Sequence, residues 1–148
     1  MPTMTKFNCF TENLAEGAHN FASNVIKVVL TNAANPPLAA DTVLADQTGI
    51  AVTFLSTSSG VGPTTGFAFE LEQSYQSSAG VYRYIPADMT ILATGGTAEG
   101  FRYIVVYNDT AAGDPLIGWL DYGSDLVLNN GESLVIDINA TDGLFTVT

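Results

Sequence analysis

The chain has 148 residues, 47% hydrophobic and only 13% charged, with 15 acidic side chains against 4 basic ones and a formal net charge of −11. That length suits one domain, residues 1–148, with a core of its own, and the single cysteine, Cys9, excludes an internal disulfide. The acidic balance repels phosphate backbones and anionic headgroups, so no nucleic acid and no membrane partner is expected, whether the charge serves solubility or keeps the protein off DNA.

The N-terminus, "MPTMTKFNCF", lacks the charged head, apolar run and cleavage site of a signal peptide, and no apolar stretch approaches ~20 residues, so a soluble chain is expected. "FTENLAEGAHNF" supports at most a helical turn or two before Gly17. In "NVIKVVLTN", Ile26, Val28 and Leu30 fall on one face with Lys27 opposite, which predicts a strand with an aqueous side. The prolines of "AANPPLAA" enforce an extended loop, because proline removes a donor and restricts its predecessor. A second short helical turn is predicted in "DTVLADQ", a strand in "IAVTFLS", and a flexible loop in "TSSGVGPTTG".

Alternation is clearest in "GFAFELEQ", where Phe67, Phe69 and Leu71 share one side and Glu70 and Glu72 the other. "GVYRYIPADMTILAT" reads as two strands broken at Pro86, and "GGTAEG" as a turn. "FRYIVVYNDTAAGDPLIGWLDYG" reads as two strands around an acidic turn. Alternation in the first places Phe101, Tyr103, Val105 and Tyr107 on one face and Arg102, Ile104 and Val106 on the other, so both faces are largely apolar. "DLVLNNGESLVIDIN" breaks at Asn130-Gly131, with Leu134, Ile136 and Ile138 alternating against Asp137 and Asn139, and "GLFTVT" closes the chain. Eight or nine short strands with one or two helical turns near the N-terminus predict an all-β, single-domain β-sandwich, jelly-roll-like or Greek-key.

Catalytic chemistry is sparsely stocked, and a non-enzymatic protein is expected. His19 is the only histidine, in a segment with no nucleophile elbow, and reads as a hydrogen-bonded turn residue. One His and one Cys fall short of a zinc set, Cys9 reads as a small core hydrophobe, and no cofactor is implied. Asn108, Asp109 and Asp114, and Asp121 and Asp125, offer hard oxygen ligands to calcium, but these residues are also the vocabulary of hairpin turns. Asn108-Asp-Thr110 and Asn139-Ala-Thr141 match the glycosylation pattern, which chance also produces. Tyr75, Tyr82, Tyr84, Tyr103, Tyr107, Trp119 and Tyr122 suit either a sugar-stacking platform or a core and a subunit contact, with the latter favoured.

The stretches "ENLAEGAHNF", "KVVLTNAA", "FRYIVVYNDTAAGDPLIGWLDYG" and "NNGESLVIDINATDGLFTV" together resemble small structural proteins of tailed bacteriophages, over about Phe7 to Val147. Among these, head decoration or cement proteins are small β-sandwich or jelly-roll proteins that clamp neighbouring subunits on the outside of the expanded capsid. The resemblance implies a virion protein made in the bacterial host cytoplasm, with the major capsid protein and further copies of itself, as a dimer or trimer, for partners. The matching stretches are strands and turns without role-specific chemistry, so no functional residue is carried over. Relatives are expected to vary most between Ala51 and Ala79. The two-faced strand pair agrees with an interface: one face in the core, the other against a neighbour. Candidate contacts are the N-terminal segment, residues 1–21, through Phe7, Phe10, Leu14 and Phe21, together with Tyr107, Trp119 and Tyr122. Removal of residues 1–20 is expected to leave a folded sandwich. The alternatives are another virion part, such as a tail, fibre or baseplate protein, and a carbohydrate-binding module.

Overall fold

The computed structural model describes residues 3–51, 53–57, 67–68 and 71–148. Phe69, Glu70 and most of the "TSSGVGPTTG" loop lie outside the described residues, as do the side chains of Leu71, Glu72 and Tyr75. Over the described residues the protein is all-β with one short helix. Its strands are β1 (Thr5–Lys6), β2 (Ile26–Thr31), β3 (Leu55–Thr57), β4 (Phe67–Ala68), β5 (Leu71–Ser78), β6 (Val81–Pro86), β7 (Met89–Ala93), β8 (Phe101–Asn108), β9 (Leu116–Leu126), β10 (Ser133–Ile136) and β11 (Phe145–Val147). Helix α1 spans Cys9–Ala15, and a single 3-10 turn spans Leu44–Asp46. Both helical pieces fall where the sequence predicts them. Among the described residues all strand pairs are antiparallel, in a five-stranded sheet ordered β1-β9-β8-β2-β4 and two three-stranded sheets ordered β10-β7-β3 and β11-β6-β5.

One face of the five-stranded sheet and the inner residues of both smaller sheets share a single apolar cluster. The large sheet contributes Ile26, Val28, Leu30, Ile104, Val106 and Leu120; the smaller ones contribute Tyr84, Ile91, Leu134, Ile136 and Phe145. The alternation read in "SLVID" is realised, with Leu134 and Ile136 buried and Val135 and Asp137 exposed. Pro86 ends β6 where expected. Gly143 makes the return to β11 possible: its φ is +74, and a Cβ there would overlap the Tyr84 carbonyl oxygen.

The second face of the large sheet departs from expectation. Val29, Val105, Tyr107 and Leu116 form a separate cluster with Phe7, flanked by Cys9, Leu44, Ile50 and Trp119. The chain itself supplies this cover. Phe7 donates its N–H to the Ile117 carbonyl at 3.2 Å, Asn8 to Ala39 at 2.9 Å, and Leu116 to Thr42 at 3.0 Å, so the N-terminal segment and the proline-rich loop are both strapped across β9. β2 therefore has no aqueous side: Val29 and Thr31 are buried, and only Lys27 reaches solvent, paired with Asp109 at 2.8 Å.

Two more readings are corrected. Phe101 joins Ile104 and Val106 in the main core rather than Tyr103 on the far face, because the β8–β9 register breaks between Phe101 and Tyr103 and such a bulge re-aims side chains. Residues 1–20 are no detachable arm, since Phe7 is 1% and Phe10 2% exposed. Their removal would open both clusters.

Candidate interaction surface

The seven residues singled out from the sequence as contacts divide by burial. Phe7, Phe10, Phe21 and Tyr107 are interior, with Tyr107 wholly inaccessible. Leu14 packs partly against the main core, and Trp119 lies half-buried with its ring centroid 4.6 Å from that of Phe7. Tyr122 alone is open, at 43% exposure. The physical reason is that apolar residues with no clear helical or strand period still find cover, here by folding back onto the nearest bare sheet face. Among the aromatic candidates, Tyr84 and Tyr103 are also buried, which withdraws them from any stacking platform.

Several of the titratable groups are engaged in structure. His19 is 6% exposed and packs in a three-ring cluster with Phe10 and Phe21, at 5.6 and 5.4 Å from them while they lie 6.2 Å from each other, and its Nδ1 accepts from the Asn108 amide at 3.1 Å. Burial pushes its pKa down from the usual 6.5 to about 4. Asn108, fully buried, is a hub rather than a glycosylation acceptor. Its Oδ1 accepts from the N–H groups of Thr110 and Ala111, and its Nδ2 also donates to Asn24 Oδ1 at 2.8 Å. Asn139 closes a similar turn with the N–H groups of Thr141 and Asp142. Asp121 holds Arg102 through two contacts of 2.8 and 3.0 Å, which lowers its own pKa, first through that hydrogen bond. Asp125 accepts from Ala33 N–H. Among the described residues, no group of three or more His, Cys, Asp or Glu side chains is placed to hold a metal ion. The Cys9 thiol faces the carbonyls of Asp41, Thr42 and Leu116 at 3.6 to 3.7 Å, and burial raises its pKa.

Exposed apolar side chains that the sequence reading passed over remain: Leu38, Val127 and Val135 are each more than half exposed, and Val25 and Phe54 nearly so. For Val135 the signal was available, because the alternation that buries Leu134 and Ile136 forces the valine between them outward. Val135 and Tyr122 flank a slot of about 380 Å³ between β9 and β10, floored by Ile104, Leu120 and Ile136, with Asp121 and Asp137 in its lining. No protein-family model, curated protein or solved structure matches the chain.

Proposed function

We propose that the chain is a structural protein of a tailed-bacteriophage virion, a decoration or cement protein that binds the outer surface of the expanded head and bridges major capsid subunits. The observation that carries this reading is the resemblance of its strand and turn stretches, from about Phe7 to Val147, to small phage structural proteins. The shared apolar cluster supports a two-layer arrangement, a jelly-roll-like sandwich with the five-stranded sheet as one layer and the two smaller sheets as the other. A net charge of −11 suits an outer shell, because such a protein does not compete for the packaged genome.

The contact surface in this reading shifts from the buried aromatics to the exposed set of Tyr122, Val127, Val135 and Leu38. The second sheet face, which had offered itself as an interface, is covered by Phe7, Cys9, Leu44 and Ile50, so in this reading the capsid is the main partner and avidity over many sites replaces strong pairwise contacts. Stabilisation follows from differential affinity: a protein that binds the expanded shell better than separated subunits shifts the balance toward the shell. The test is to mix purified chain with undecorated expanded heads and with precursor shells, pellet both, and image the heads by electron cryomicroscopy. Saturable density on expanded heads is expected. Location in the tail, or no association with either particle, refutes the proposal.

A further inference from the structure

β10 is an open template. It pairs with β7 through Ser133, Leu134, Val135 and Ile136, and among the described residues no strand pairs with its other edge. Sheets blunt such an edge with shortness, charge, proline or a bulge; β10 is short, at four residues, but carries no charge, proline or bulge. β9 across the slot is different. β1 covers it only at Gly118 and Trp119, and beyond Asp121 its register with β8 breaks, a bulge that bends the strand. The slot between them has a buried apolar floor and carries Tyr122 at 43% and Val135 at 51% exposure on its rim. An apolar channel beside a free strand edge is the arrangement that binds an added strand, with main-chain hydrogen bonds for affinity and alternate side chains for selectivity.

Charge decides what kind of strand fits. The Asp137 carboxylate, in the slot lining, makes no ion pair or hydrogen bond among the described residues. A second copy of this chain is poorly suited to supply the missing cation. Lys27 is held by Asp109, Arg102 by Asp121, and Arg83 donates to the Thr141 carbonyl at 2.7 Å, which leaves Lys6 alone in a chain that carries −11 overall. The geometry points to an extended segment of a different protein, alternating apolar with cationic side chains, that adds to the free edge of β10 and lays its apolar side chains in the slot. Four paired residues at about 3.3 Å each set the length it needs. This inference does not rest on the virion reading.

Amide-resolved NMR titration of the full chain tests it with three capped peptides: one alternating valine and lysine, the same with glutamate for lysine, and the lysine peptide with N-methylated valines. Shifts confined to residues 120–122 and 135–137 are expected, with the lysine peptide at least about tenfold tighter than the glutamate one. Asp137→Lys should reverse that preference and Tyr122→Ala should weaken binding several-fold, both with unchanged melting because the sites are exposed. No shifts up to about 1 mM peptide, equal affinity for lysine and glutamate peptides, or undiminished binding after N-methylation overturns the inference. So does sedimentation showing that the free chain dimerises with amides 135–137 protected, which would give the slot to a second copy. Head binding without peptide binding removes this inference alone; peptide binding without head binding removes only the virion reading.

Discussion

Acidification should loosen this protein through His19. An amide NH₂ can only donate, so the 3.1 Å contact from Asn108 fixes Nδ1 as an unprotonated acceptor and puts the neutral ring's proton on Nε2. Protonating Nδ1 sets donor against donor and leaves a buried cation packed beside Phe10 and Phe21. Since the folded pKa lies near 4 and the ordinary value is 6.5, the unfolded chain binds more protons between those limits. The contribution is therefore complete above about pH 6.5 and is lost as pH falls toward 4, a total of about 3 kcal/mol. Asp46 and Asp121, whose pKa values are lowered by hydrogen bonds, lose their contributions only below the usual carboxylate range, outside this window. The control is His19→Phe, which keeps the ring stack and removes the proton site. Asn108 then still donates to Asn24 Oδ1 at 2.8 Å and the Ala18 carbonyl at 3.3 Å, so little is lost at neutral pH. Urea unfolding followed by Trp119 fluorescence, from about pH 7 to about pH 4.5, should show the wild type losing stability relative to the variant by more than 2 kcal/mol. Parallel curves for the two proteins, or an NMR titration placing the folded His19 near its ordinary pKa, would refute the reasoning.

Phe7→Ala should cost about 3–5 kcal/mol in the same assay, because it empties the centre of the second cluster, whereas Tyr122→Ala should fall within about 0.5 kcal/mol of wild type. Gly118→Ala places a Cβ 2.7 Å from the Thr5 carbonyl oxygen and 2.8 Å from Met4 Sδ, so β1 must move away; about 1–3 kcal/mol of lost stability and early protease cleavage within the first ten residues are expected. Asn108→Ala strips the turn after β8 of its side-chain acceptor and should cost about 2–3 kcal/mol, seen as a lower urea midpoint with the slope unchanged.

The local pattern was legible where a strand obeys period two and is punctuated. Leu134, Ile136 and Ile138 point inward as their alternation demands, Pro86 closes β6, and the all-β class follows from the succession of such stretches. Alternation misled at Phe101, because a register break depends on the facing strand and is invisible from either strand alone. Of the candidate surface Tyr122 was legible, and alternation also marked Val135 as outward; the slot was not legible, since its two walls come from strands β9 and β10, which sit in different sheets.

From residues alone came most of the strands, though not β1, together with their turns, the charge and the fact that β8 is apolar on both faces. Tertiary structure decided what covers the second face. Phe7 and the loop through Leu44 and Ile50 carry no period that announces a partner, yet they bury Val105 and Tyr107 completely. Apolar burial is non-directional, so sequence shows how much surface must be hidden but not which segment will hide it.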